Sequence, residues 1–203
     1  MPGSTLNWST VNIPRGQRAE LWAKLAVPGA GARLTLHTDF TPESVANPSA
    51  LHVGRLAEGA ELQYKTTLQH RFSDEFDAPF DTNIDVVEAR IVGVVMNALD
   101  TAVMEVLMPG VAKATGTGYE ELAFGGPTAA PTKYSFAVIW RMPEDPTKVA
   151  VFQLYSALNN EGFAMRIRRG GNGVGSTPIA LQGFAVSTRA AGDQVGKLWK
   201  QVA

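Results

Sequence analysis

The chain contains no cysteine, which excludes disulfides, thiolate nucleophiles and cysteine-ligated metal clusters. The absence also fits a protein made in a reducing cytoplasm. No stretch approaches the roughly 20 consecutive apolar residues that a membrane helix needs. Residues 1–12 have neither the charged start nor the apolar core of a signal peptide. We therefore expect neither membrane insertion nor export.

The chain also has no excess of positive or of negative residues. Lys and Arg number 18 and Asp and Glu number 19, so the formal net charge is −1. Without a global positive charge the chain has no long-range attraction for phosphate backbones. Stable binding of nucleic acid is therefore disfavoured.

Residue patterns that carry catalysis are absent as well. The three histidines, His37, His52 and His70, lie in separate segments without the spacing of a metal-binding pair. No Gly-x-Ser-x-Gly turn is present to expose a nucleophilic serine. We predict that the chain is not an enzyme and has no catalytic residues, cofactor or metal.

Two further patterns could indicate ligand binding, but each is better interpreted as a loop. The glycine-rich segment 170–175 lacks the Lys-Ser/Thr of a phosphate-binding loop and opens onto a strand, which favours a flexible hairpin loop. The acidic group Asp74, Glu75, Asp77 and Asp81 lacks the glycine and the terminal glutamate of a calcium loop. We interpret it as a solvated or interface loop.

With 203 residues, 45% of them hydrophobic, the chain can bury one full core. Its 20 glycines and 12 prolines are spread along the sequence and favour short strands. We predict one domain over residues 1–203, with an N-terminal arm at 1–17 and a C-terminal segment at 189–203 that contains a short helix.

Alternating apolar residues predict the first strand over 18–27, joined through Pro28-Gly29 to a partner at 33–38 as a hairpin. The segment from 39 to 56 is rich in breaks and is predicted to be a loop.

The strongest prediction is a long hairpin made of strands 61–72 and 84–96 around a polar loop at 73–83. In the first strand Leu62, Tyr64, Leu68 and Phe72 share one face and polar residues share the other. In the second strand the apolar phase shifts, which predicts a β-bulge near Val86.

A helix of about three turns is predicted directly after the hairpin, with Asn97 as its N-cap, Leu99 on its apolar face and Pro109-Gly110 at its end. A connection rich in Gly, Thr and Pro follows. Further strands are predicted at 134–140, 149–157, 163–167 and 178–188. The predicted fold is mainly β: a β-sandwich or partial barrel with one packed α-helix.

This order of elements resembles the tail tube proteins of long-tailed bacteriophages. Residues 54–64 resemble that family's glycine-flanked turn and long strand, and 74–81 its acidic loop. Residues 84–107 resemble its strand running into a helix. The apolar strands around Phe136-Ala137-Val138 and Val151-Phe152, and the closing run 178–186, are also similar to the family.

The resemblance implies a structural virion protein whose β-sandwich subunits close into hexameric rings. The rings stack into the tail tube that delivers the genome, and the long hairpin contributes to an oligomeric β-barrel. The implied partners are further copies, other tail proteins and DNA passing without specific binding; the implied location is the virion tail, after assembly in the host cytoplasm. The polar face of the hairpin is then expected to line the lumen, through Glu61, Gln63, Lys65, Thr67, Gln69, Arg71, Glu88 and Arg90.

For stacking between rings we expect the acidic loop to face basic positions of the next ring. The candidates are Asp74, Glu75, Asp77, Asp81, Arg166, Arg168 and Arg169. Two other functions stay open: the tube of a contractile injection or secretion machine, and a monomeric β-sandwich module that binds carbohydrate. The second would use Trp8, Trp22 or Trp140 as a stacking platform.

Overall fold

The computed structural model describes residues 4–12, 19–57, 60–71, 81–97, 100–125, 130–161, 164, 166–167 and 175–202. For 4–12, 68–71, 81–86, 97 and 166–167 it describes the backbone alone. The strands are β1 Ser4–Asn12, β2 Ala19–Ala23, β3 Leu51–Leu56, β4 Glu61–Arg71, β5 Asp81–Asn97, β6 Ala112–Gly116, β7 Tyr119–Ala123, β8 Tyr134–Arg141, β9 Val149–Asn159, β10 Arg166–Ile167, β11 Gly175–Gly183 and β12 Gly196–Lys200. The helix α1 is Thr101–Leu107.

Six strands close into a barrel in the order β5, β3, β2, β8, β9 and β11, because β11 pairs both with β9 and with residues 90–97 of β5. All of these pairs are antiparallel. Closure removes the exposed edges of the barrel strands. The predicted mainly β fold with a packed helix is confirmed.

The barrel interior holds the larger of two apolar cores. It is filled from every wall by fully buried side chains that include Leu21, Val53, Ile91, Phe136 and Leu181. Helix α1 adds Val103, Val106 and Leu107 to this core. The alternation of buried and half-buried residues along β2 and β11 follows from one face pointing inward.

A second, smaller core lies on the outer face of β8 and β9. There Ala137, Ile139, Val149 and Val151 are covered by the irregular segment 25–50, which contributes Leu25 and Leu34 among others. Because both faces of β8 are covered, its residues from Ser135 to Trp140 are all buried. This explains the nearly continuous apolar sequence of these two strands.

The predicted first hairpin is wrong. Strand β2 ends at Ala23, where Lys24 takes a left-handed backbone conformation with φ of 57°. The turn after Pro28 exists, since the Ala32 amide donates to the Gly29 carbonyl at 3.0 Å. Residues 33–38, however, form only a single bridge from Leu36 to Pro42. The edges of β2 are occupied by β3 and β8.

The predicted loop at 39–56 is wrong at its end, because Leu51–Leu56 forms β3 and pairs with β2. The connection after the helix was also underestimated, since β6 and β7 pair there as a separate two-stranded sheet. The first part of the predicted arm is a strand: residues 4–12 form β1, which pairs with β4 along its whole length.

The predicted N-cap is wrong, because β11 pairs with β5 as far as Asn97 and holds that residue in the strand. The helix is instead capped by Asp100, whose side chain accepts from the Ala102 amide at 2.8 Å. It is therefore shorter than predicted. Leu99 lies outside the described residues.

The predicted C-terminal helix is wrong as well, since Gly196–Lys200 forms β12 on the edge of β9. Gly196 permits this pairing, because a Cβ at its position would lie 2.4 Å from the Gln153 carbonyl oxygen. The predicted strand at 163–167 corresponds to β10, whose described part is Arg166–Ile167. The closing strand β11 begins and ends earlier than predicted, at Gly175–Gly183.

Candidate assembly surface

The long hairpin is present and forms a ribbon outside the closed barrel. Strands β4 and β5 pair from Glu61 with Val92 to Arg71 with Asp81. The register shifts between Thr67 and Leu68, so that one residue of β5 next to Val86 is unpaired, and the predicted bulge is confirmed. Strand β1 adds to the outer side of β4. We call β1, β4 and residues 81–89 of β5 the ribbon.

Both long edges of the ribbon are open within the part of the chain that the structure describes. Strand β1 pairs with β4 and with no other described strand. On its second edge, β5 pairs with β11 only through residues 90–97, so residues 81–89 have no described partner there. Unpaired N–H and C=O groups along such edges are a template for adding another strand.

One face of the ribbon is polar, as predicted. Cross-strand pairing places Gln63 opposite Arg90 and Lys65 opposite Glu88. The Glu88 carboxylate lies 3.9 Å from Lys65 Nζ and 3.3 Å from the Arg90 guanidinium. Gln63 donates to the Glu61 carboxylate at 2.8 Å. This face therefore carries opposite charges that are largely balanced within the subunit.

The described side chains of this face are half-buried: Glu61, Gln63, Lys65, Thr67, Glu88 and Arg90. The other two lumen candidates, Gln69 and Arg71, belong to β4, but their side chains lie outside the description. Strand alternation places all the β4 candidates at positions of one face.

The opposite face of the ribbon is apolar, and its apolar residues continue beyond the part that the barrel covers. Leu62 and Ala89 are buried under the barrel, but Tyr64 is 44% exposed and Val87 is 36% exposed. Leu62 and Tyr64 lie on one face as predicted, but burial of that face within the subunit reaches Leu62 and not Tyr64. The side chains of Leu68 and Phe72 lie outside the described part.

Tyr64 and Val87 form one wall of an open cleft of about 370 Å³ at the base of the ribbon. The second wall is made of Phe152 and of residues 194–198 around β12. Sequence reasoning missed this cleft because it requires β12 to be a strand beside β9. The uncovered apolar lining is a surface that a partner can bury.

Most proposed stacking residues fall outside the description. They are Asp74, Glu75, Asp77, Arg168 and Arg169. The backbone of Asp81 begins β5 and that of Arg166 begins β10. The glycine-rich segment lies outside the described residues except for Gly175, where β11 begins.

The described residues contain no group of three or more His, Asp or Glu side chains placed to hold a metal ion. His37 is exposed beside Asp39, and His52 lies 3.8 Å from the Glu20 carboxylate. The side chain of His70 is not described. No described helix is long and apolar enough to cross a membrane.

The tryptophans give little support to a carbohydrate platform. Trp140 is 7% exposed and belongs to the barrel core. Trp22 is half-buried, packs against the His52 ring at 4.8 Å and has a buried indole nitrogen. The side chain of Trp8 lies outside the description. Of the two described candidates, Trp140 is too buried to stack on a sugar, and Trp22 already packs its ring against His52.

A polar cluster fixes the segment that leads into β12 and thereby the second wall of the cleft. The Tyr155 hydroxyl donates to Asp193 at 2.6 Å, and the Arg189 guanidinium binds the other carboxylate oxygen at 2.6 Å. Arg189 also lies over the Tyr155 ring at 4.1 Å and donates to the Pro28 carbonyl. Burial, with the neighbouring Asp193, raises the pKa of Tyr155 to about 12. Hydrogen bonds from Tyr155 and Arg189 lower the pKa of Asp193.

These shifts predict how stability depends on pH. A raised Tyr155 pKa adds stability below pH ~10 that is lost as pH rises towards about 12. A lowered Asp193 pKa adds stability above pH ~4 that is lost in stronger acid. The wild-type protein should therefore have a higher free energy of unfolding than Tyr155→Phe, measured in urea. The difference should be constant around neutral pH and smaller at both pH extremes. Tyr119→Phe, at a 61% exposed position, is the control. A pH-independent difference would contradict this assignment.

No protein-family model matches the chain, and no curated protein matches it at a significant level. Within the described residues the fold is a closed β-barrel with one helix and an attached ribbon whose two long edges are open.

Proposed function

We propose that the chain is a structural subunit that assembles with copies of itself into rings and tubes, in the manner of a phage tail tube protein. The observation that carries this proposal is the ribbon, with one open edge on β1 and the other on residues 81–89 of β5. A ribbon that lies outside its own barrel gains its missing backbone partners when the β5 edge of one copy meets the β1 edge of the next.

Strand directions permit this joining. Strand β1 is antiparallel to β4, and β4 is antiparallel to β5, so β1 and β5 run in the same direction. Copies related by rotation about an axis along the strands would therefore form a parallel pair at each junction. Ring closure would leave no open ribbon edge.

Six copies with three ribbon strands each would form an eighteen-stranded barrel. With strands about 4.8 Å apart and tilted by about 40°, its backbone diameter would be roughly 36 Å. Barrels of this strand number enclose a water-filled channel. Lined by the polar face, the channel would admit a DNA duplex, and the balanced charges of Lys65, Glu88 and Arg90 would limit sticking to phosphates.

Sedimentation velocity and negative-stain imaging over a concentration series test the proposal. The purified protein should form rings or tubes of uniform width as concentration rises. A protein that stays monomeric at millimolar concentration would overturn the proposal and would favour the binding module instead. A tube subunit of a contractile injection or secretion machine is expected to assemble in the same way. Only a sheath around the tube would distinguish that function.

The proposed stacking contact predicts a salt-sensitive step. Replacing Asp74, Glu75 and Asp77 by serine should leave the fold intact, because solvated loop charges contribute less than about 1 kcal/mol. Ring stacking should fail or lose its dependence on salt, since the loop would no longer attract Arg166, Arg168 and Arg169 of the next ring. Light scattering during elongation at several salt concentrations measures this. Unchanged elongation would show that the loop is only a solvated turn.

A further inference from the structure

Within its own subunit the hairpin of β6 and β7 contacts helix α1, where the Thr101 hydroxyl donates to the Glu120 carboxylate, and most of its side chains are exposed. It forms a separate two-stranded sheet, and such a sheet is marginally stable in water without a packing partner. Tyr119 is 61% exposed and Phe124, directly after β7, is 77% exposed. The outer edge of β7 has no partner among the described strands. The hairpin therefore presents an open edge with two aromatic side chains.

Strand β12 has the complementary properties. It pairs with β9 on one side and with no described strand on the other. Its Leu198 is 52% exposed and lines the apolar cleft together with Tyr64 and Val87. Strands β7 and β12 are each five residues long. An added strand on β12 would place its own side chains over the cleft.

The charges of the two strands are opposite. Strand β7 carries Glu120 and Glu121 and no cation, and β12 carries Lys197 and Lys200 and no carboxylate. Glu120 already binds Lys113 at 3.1 Å, and Lys197 donates to the Ala32 carbonyl at 2.9 Å. Glu121 and Lys200 are exposed and have no ion-pair partner among the described residues. Opposite charge on two open edges favours pairing between them over pairing of each with itself.

We infer that β7 of one copy adds to β12 of a second copy and that Phe124 then fills the cleft. This inference rests on the proposed self-assembly and names a contact that the ribbon edges do not supply. Because the two surfaces belong to different parts of the chain, the contact is heterologous, and each copy can bind two neighbours through it. Such a contact continues into a ring or a filament and does not stop at a dimer.

The absence of native cysteine makes disulfide trapping a clean test. Glu121→Cys is mixed in turn with Lys197→Cys, Leu198→Cys and Lys200→Cys under assembling conditions and oxidised. At least one mixture should give a covalent dimer on a non-reducing gel, because facing strand residues fall within disulfide reach. One chain carrying both cysteines of that pair should give a ladder of multimers. Val45→Cys, at an 86% exposed position, is the control partner and should not cross-link.

A charge swap gives a second readout. Lys200→Glu should raise the concentration needed for assembly by about threefold, and Glu121→Lys in the same chain should restore it. If the protein assembles but no pair cross-links and the charge swap does not restore assembly, the contact between β7 and β12 is wrong. The ribbon proposal then stands, and another partner covers the cleft. If the wild-type chain does not assemble at all, the proposed function falls, and this inference falls with it.

Discussion

The double variant Tyr64→Asp and Val87→Asp is expected to remain folded and to stay monomeric at concentrations where we expect the wild-type chain to assemble. Both side chains are already partly exposed in the single subunit, at 44% and 36%. Replacing them should therefore change the free energy of unfolding by no more than about 1 kcal/mol.

Assembly would bury the new carboxylates against an apolar surface. A polar group buried without a partner costs about 1–3 kcal/mol, and a charged group costs more. Two such groups should raise the concentration needed for assembly by a factor of roughly 100 or more. Sedimentation velocity of the variant and the wild-type protein at matched concentrations measures the change.

Val45→Asp is the matched control, because Val45 is a more exposed valine, at 86%, away from the cleft. It should assemble as the wild-type chain does. Wild-type assembly by the double variant would show that the apolar face of the ribbon stays in solvent, and the assembly surface would have to be sought elsewhere.

Replacing Asn159 with alanine is expected to lower the free energy of unfolding by roughly 2–4 kcal/mol. Asn159 is 4% exposed, and its amide nitrogen donates to the Leu107 carbonyl at the end of α1 at 3.1 Å. Its amide oxygen accepts from the Ala180 N–H of β11 at 2.9 Å. Alanine would leave both backbone groups without this partner and would loosen the helix and β11 from β9.

Asn160→Ala supplies the control on the adjacent residue. Asn160 is exposed, and among the described residues its side chain donates to Gln182 alone, at 2.8 Å. Its loss should change stability by at most about 0.5 kcal/mol. In thermal unfolding Asn159→Ala should therefore melt roughly 10 °C below the wild-type protein and Asn160→Ala close to it. Equal melting temperatures for the two variants would show that the Asn159 bridge contributes little.

The sequence predicted the strands whose side-chain pattern follows directly from burial on one face or on both. The hairpin of β4 and β5 was predicted with its bulge, because the apolar residues of β5 change from even to odd positions near Val86. The register shows one extra residue, Asp85, between the pairs Thr67 with Val86 and Leu68 with Ile84. The buried strands β8 and β9 were predicted from their apolar runs. In both cases local sequence and tertiary environment agree.

Elements set by distant pairing were not predicted. Strand β12 has a helix-compatible pattern of Leu198 and Trp199, but the open edge of β9 and the glycine at 196 make it a strand. Leu51 and Val53 of β3 alternate over too short a span to stand out from the surrounding loop. The left-handed backbone conformation of Lys24, which ends β2, cannot be inferred from the pattern of apolar residues.

The candidate site was predicted only in part. The polar face of the ribbon follows from alternation within β4, and its residues were named correctly as sharing one face. The open edges depend on where β11 stops pairing with β5, which is a property of the closed barrel. The cleft joins residues from β4, β5, β9 and β12, which lie far apart in the sequence.

Backbone hydrogen exchange in the assembled protein tests the ribbon-edge account most directly. The reference is the Tyr64→Asp and Val87→Asp variant, which should remain monomeric. In the assembly, the amides of residues 4–12 and 81–89 that point away from β4 should become strongly protected, because each open edge gains a strand from a neighbour. Amides of β8, already paired on both edges, should show no such gain. An assembly in which residues 4–12 and 81–89 exchange as fast as in the monomer would contradict the account.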